Sequence, residues 1–166
     1  IALLERMAEE IYREWFVRLR FPGHSTTKIT KGIPAGWRVV RLGSVLELRY
    51  GKALKEEDRI PGPYAVYGSS GVVGSHNESH VQGPGLIVGR KGNVGSVFLA
   101  DSGFFVIDTA FYVVSSLPHS FLYFLLGSMN FINNESAVPG QNRNQAYENQ
   151  MFLTPESLVA QFAEID

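Results

Sequence analysis

The chain has 166 residues, a formal net charge of −1, 45% hydrophobic residues and no cysteine. That is enough apolar material for one domain with a core, while the lack of cysteine excludes a disulfide framework or a thiolate metal site and points to a reducing compartment, the cytoplasm. The longest apolar run, Phe121 to Leu126, falls far short of the roughly 20 residues of a membrane span, and IALLERMAEE has no cationic signal-peptide start. The chain opens on Ile1 and closes on helix-like text, so a piece of a longer protein is expected.

Leu4, Met7, Ile11, Trp15 and Leu19 recur at steps of three and four with Glu5, Arg6, Glu9, Glu10 and Arg13 between them, which predicts an amphipathic helix over 1–19. Pro22 and Gly23 supply its stop, and STTKITKG reads as a polar linker. From Trp37 to Val114 short apolar runs (WRVVRL, YAVYG, GVVG, GLIVG, GSVFLA, FFVI, TAFYVV) alternate with glycine, the pattern of strands and turns. Pro118 then opens a second helix, HSFLYFLLGSMNFI, with Phe121, Phe124, Leu125 and Phe131 as its buried face. A polar loop, NNESAVPGQNRNQAYENQ, follows, and Thr154 with Pro155 introduces a last helix, ESLVAQFAEID. The fold class is α+β: a β-rich body flanked by an N-terminal amphipathic helix and the start of a C-terminal one.

In LIVGRKGNVGSVFLA three glycines, Gly89, Gly92 and Gly95, enclose Arg90, Lys91 and Asn93. The spacing is wrong for a P-loop, which requires G-x-x-x-x-G-K-[ST], and the loop leads into strand-like text where a dinucleotide fingerprint would need a helix. A tight β-turn with solvated basic side chains is the plain alternative. His76 and His80 flank Glu78 in loop text with no third metal ligand. Asp101, Asp108, Glu135 and Glu148 are scattered, and Ser69, Ser70 and His76 lack the nucleophile-elbow pattern, so no active site emerges. Phe104, Phe105, Phe111 and Tyr112 alternate within strand-like runs and read as core.

The segments IYREWFVRLRFPGH and GIPAGWRVVRLGSVLE resemble a helix end and domain entry in the specificity (S) subunits of type I restriction-modification systems. YAVYGSSGVVGSHNES, GPGLIVGRKGNVGSVFLADSGFFVIDTAFYV and LTPESLVAQFAEI are similar to the same family's target recognition domain and the start of its next helix; VPGQNRNQAYENQMFLTP departs from the leucine-rich text usual there. The resemblance implies the end of a spacer helix at 1–21, a linker at 22–32, a target recognition domain at 33–153 and the start of the next conserved helix at 154–166. It implies a non-catalytic subunit that reads one half of a bipartite sequence in double-stranded DNA. It also implies partners: adenine-amino methyltransferase (M) subunits, which bring S-adenosylmethionine, and restriction/translocation (R) subunits, which bring ATP. No cofactor of this chain's own and no membrane are implied.

On that resemblance the glycine loop is expected to serve DNA, because arginine pairs bidentately with guanine and asparagine or glutamine with adenine. The candidates are Arg90, Lys91 and Asn93; a second loop of Asn142, Arg143, Asn144 and Gln145; and a third group of Ser69, Ser70, His76 and Asn77. Lys52, Lys55 and Arg59 are candidate phosphate contacts, with an ordinary solvated face as the alternative. A net charge of −1 lacks the basic excess of a self-sufficient DNA-binding domain, so weak binding by this chain alone is expected. The apolar stripe of the first helix, short of same-chain partners, is expected to drive a homodimer. The rival readings are a β-rich protein-interaction adaptor that binds no nucleic acid and a small-ligand binder using the glycine loop.

Overall fold

The apolar steps of three and four do form a helix in the computed structural model, which describes residues 2–129 and, as backbone, 161–163. The chain divides into two units, residues 1–45 with 159–166, and residues 46–158.

In the first unit α1 spans Ala2–Tyr12 and continues as a π-helical segment, Arg13–Val17, closed by an Arg18 N–H bond to the Arg13 carbonyl at 2.8 Å. The surface pairs Glu9–Arg13 (2.7 Å) and Glu14–Arg18 (2.8 Å) each join residues four apart in sequence, the spacing at which opposite charges support a helix weakly. The winding ends at Leu19, whose φ of 57° is left-handed, three residues before Pro22. Phe16 takes the inward contact, with ring centroids 5.3 Å from Tyr12 and 5.9 Å from Trp37, and Phe21 meets Trp37 at 4.8 Å. Leu4, Met7 and Ile11 are exposed, and Tyr12 is the buried residue of α1. Strands β1 (Ile29–Thr30) and β2 (Ile33–Pro34) form a hairpin across Lys31 and Gly32, both at positive φ as a two-residue turn requires. Strand β3 (Trp37–Val39) pairs antiparallel with Gln161–Ala163. Those three residues are thus extended where the sequence predicted helix, because β3 offers a backbone ladder that no local pattern announces; the rest of 154–166 lies outside the described residues.

The second unit holds β4 (Leu46–Tyr50), β5 (Tyr64–Gly68), β6 (Gly71–His76), β7 (Gly85–Gly89), β8 (Val97–Ala100), β9 (Phe104–Val106), β10 (Ala110–Ser115) and α2 (His119–Gly127). One sheet has the order β4-β10-β7-β8, antiparallel throughout; the other has the order β6-β5-β9, in which β5 and β6 form a hairpin and β5 and β9 run parallel. Ile87, Ala100 and Ala110 of the first sheet pack with Phe104 and Val106 of the second, and Tyr67, Val81, Phe98 and Tyr112 close the cluster. Strand β7 is buried along its whole length, GLIVG, because α2 packs against β7 and β8. Such a strand reads as a continuous apolar run, as it does here.

Helix α2 starts after Pro118, as its sequence implies, but it buries Leu122, Leu125 and Leu126 while Phe121 and Phe124 stay half-buried. Phe131 lies outside the described residues. HSFLYFLLG is apolar nearly all round, so its period does not select a face. Among the described residues no helix is long and apolar enough to cross a membrane.

Candidate nucleic-acid interface

Three connections come together in the second unit, Ser69–Ser70 after β5, the loop 90–96 after β7, and 107–109 after β9, joined through Thr109 and the bond from Asn93 to Ser70. Their contacts are specific. The Gly89 N–H donates to the Ser96 carbonyl (2.8 Å) and the Gly95 N–H to the Gly89 carbonyl (2.9 Å), which pinches the 90–96 loop shut at its base. Gly92 and Gly95 take φ of 75° and 80°, which glycine adopts without a Cβ penalty. A Cβ on Gly89 would lie 2.0 Å from the Asn93 carbonyl oxygen, so the return of the loop over its own start requires glycine there.

The loop is tied to the β5–β6 turn. Asn93 Nδ2 donates to Ser70 Oγ at 3.1 Å, and Ser96 Oγ lies 2.5 Å from the Ser69 carbonyl and 2.8 Å from the Asn93 carbonyl. Both turns are also tied to 107–109: the N–H groups of Arg90 and Lys91 donate to the Thr109 carbonyl at 2.9 and 3.0 Å, and the Ser69 N–H donates to Thr109 Oγ1 at 3.3 Å. The result is a small polar platform on which Lys91, Asn93 and Ser70 are exposed and Ser69 is buried. Lys91 Nζ pairs with Asp108 at 3.1 Å on the surface, an interaction of at most about 1 kcal/mol that a phosphate can displace.

Arg90 is placed differently from its neighbours. Its Nε donates to the Asp108 carbonyl at 3.0 Å and its Nη2 bonds the same oxygen. The guanidinium carbon lies 5.2 Å from the Tyr50 ring centroid and 5.8 Å from that of Phe111, two rings that are themselves cross-strand partners. Two hydrogen bonds and a stacked cation together hold the loop with about 1–3 kcal/mol.

The remaining candidates part company. His76 and Asn77 stand at the far end of β6, about 20 Å along the strand from Ser70. His76 is buried there, where its Nδ1 accepts from the Ile60 N–H at 3.1 Å and its ring meets Phe105 edge-on, which is a packing role. The Lys52 N–H donates to the Val106 carbonyl at 2.9 Å and its side chain is exposed. Lys55 pairs with Glu57 in full solvent. Arg59 Nη1 donates to the Val73 carbonyl at 2.7 Å, where β6 carries a bulge, so it clips the strand. Asn142, Arg143, Asn144 and Gln145 lie outside the described residues. Sequence reasoning passed over Thr109, which bonds both turns; no spacing signal marks a threonine that acts through its neighbours. It read His80 only as a loop histidine beside Glu78. The ring of His80 lies 4.6 Å from Phe105 and 5.5 Å from Tyr112, with both nitrogens buried and unbonded among the described residues. Burial, and then the charge of Lys52, push its pKa down. Burial, followed by Asp101, raises the Tyr67 hydroxyl. No group of His, Cys, Asp or Glu that could hold a metal ion occurs among the described residues.

Residues 34–147 match the family model of the type I restriction modification DNA specificity domain. The chain belongs to this family. Its similarity to solved members is distant: an S subunit of the type I restriction-modification system from M. genitalium is 24% identical with a TM-score of 0.49, covering 60% of this chain and 28% of that one. A chain of a type I R-M system described for its complex assembly and conformational transition is 16% identical (TM-score 0.48; 75% and 36% covered). The HsdS subunit from Thermoanaerobacter tengcongensis is 15% identical (TM-score 0.45; 80% and 40%). No curated protein matches the chain. This specificity domain spans well under half the length of those solved chains.

Proposed function

We propose that the chain reads one half of a bipartite sequence in double-stranded DNA, and that the platform built by the 90–96 loop and the 69–70 turn is its reading face. One observation carries this: the bond from Asn93 to Ser70 joins two strand-end turns into a single exposed surface bearing an amide, a hydroxyl and the Lys91 cation. Those groups can donate to and accept from base edges and neutralise phosphate. Asn142, Arg143, Asn144 and Gln145 form a second reading loop, and Lys52 touches phosphate.

The chain is non-catalytic in this reading. It directs M subunits, with their S-adenosylmethionine, and R subunits, with their ATP, to the site. Alone it neither methylates nor cuts DNA under any combination of S-adenosylmethionine, ATP and magnesium. Binding to random duplex DNA at increasing salt is the test: affinity falls linearly with salt on logarithmic axes if phosphates are neutralised, and salt-independent retention or none at all supports the protein-interaction adaptor instead. Mapping adenine methylation in cells with and without the intact parent gene then yields the target. The exposed stripe of α1 supports one further partner, a second copy of the chain in a homodimer.

A further inference from the structure

We infer that Arg90 is a positioning residue, which fixes the shape in which the 90–96 loop presents Lys91 and Asn93, and does not itself read a base; the inference rests on the DNA-reading proposal above. An arginine that reads guanine must offer a free two-pronged edge of its guanidinium. A guanidinium has two such edges; Arg90 directs the Nε/Nη2 edge at the carbonyl of Asp108, and the other edge, Nη1/Nη2, shares the already bonded Nη2. Its flat group lies near Tyr50 and Phe111. Turning the Nε/Nη2 edge to a base would break both bonds and move the cation from both rings. The same turn, Asp108–Thr109, receives the backbone N–H groups of Arg90 and Lys91 through the Thr109 carbonyl and that of Ser69 through Oγ1. Arg90 therefore braces the one anchor that the two reading turns share, and the distance between Asn93 and Ser70 depends on that anchor.

The first readout is the Nε–H signal of Arg90 in the free chain by NMR. Its exchange with water is expected to be roughly tenfold slower than that of the exposed Arg6 and Arg41, and its shift to stay put when duplex is added. The second is selection of bound duplexes from a random-sequence pool by the wild type, Arg90→Lys, Arg90→Ala and Asn93→Ala. Arg90→Lys keeps a cation that can still reach guanine or phosphate, yet it loses the two-pronged edge and the flat stacking face. Positioning predicts that Arg90→Lys and Arg90→Ala both blur every base position the loop reads, whereas Asn93→Ala loses one. Loss of a single guanine position in Arg90→Ala, with partial retention in Arg90→Lys, overturns the inference and makes Arg90 a reader. Nε exchange as fast as that of Arg6 overturns it as well, and leaves DNA reading intact. A wild-type chain that retains no duplex at low salt sinks the DNA reading itself, and the positioning role with it.

Discussion

In the first unit Leu4, Met7 and Ile11 are 68%, 54% and 50% exposed along α1, whereas in the second unit Leu86, Ile87, Leu122 and Leu126 are sealed completely. The two sets are equally apolar, and both sit in text whose pattern promises burial. The difference is in what covers them. In the second unit two sheets and α2 close over one another's inner faces, so each apolar side chain meets neighbours from elements far away in sequence. In the first unit the aromatic cluster of Tyr12, Phe16, Phe21 and Trp37 serves the other side of the helix. Periodicity selects a face; coverage is decided by other elements.

The largest expected effect sharpens that contrast directly. Leu122→Ala should cost about 2–5 kcal/mol in chemical denaturation, the range for emptying a sealed leucine site. Leu4→Ala should stay within about 0.5 kcal/mol, as surface substitutions do. Equal costs at the two sites would mean that the stripe is buried in solution.

Next in size is Gly89→Ala. A Cβ there meets the backbone of Asn93 and the hydroxyl of Ser96 at impossible distances, so the loop must reopen. We expect a loss of about 2–3 kcal/mol together with the loss of duplex binding. Intact binding would place the reading face elsewhere. Lys91→Ala is gentler: stability is unchanged within about 0.5 kcal/mol, and the salt slope of duplex binding shrinks by about one unit, alike on all sequences.

His80 gives the second unit a pH dependence. Its folded-state pKa is lowered, by burial first and then by Lys52, so the unfolded chain binds the proton more readily. The contribution is therefore present above about pH 6.5 and is lost as pH falls below it. His80→Phe should flatten the decline of melting temperature across that range; an unchanged decline would assign it to other groups.

The smallest effect on stability, though not on assembly, belongs to the stripe. Leu4→Lys with Ile11→Lys should leave unfolding nearly unchanged while shifting a dimer to monomer in sedimentation, and Arg143→Ala should not alter the assembly state. A wild-type chain that is monomeric at high concentration would remove the homodimer.

Much of this was legible in residue order alone. The steps from Leu4 to Trp15 determine a helix, glycine-bounded runs determine strands, Pro118 starts α2, and Gly89, Gly92 and Gly95 mark a tight loop holding a cation and an amide, because these signals depend on local backbone sterics and on periods within one element. The resemblance of GLIVGRKGNVGS and its surroundings to S subunits likewise needed only the letters. Tertiary structure decided the rest. It drew Asn93 to Ser70 across the end of two sheets, placed His76 at the opposite end of β6, and turned the guanidinium of Arg90 back onto the Asp108 carbonyl and two rings. It also buried the leucines of α2 in preference to its phenylalanines and gave Gln161–Ala163 a ladder on β3. Each of these outcomes is a contact between residues remote in sequence, and whether a side chain faces solvent, ligand or its own scaffold depends on which neighbour the fold delivers.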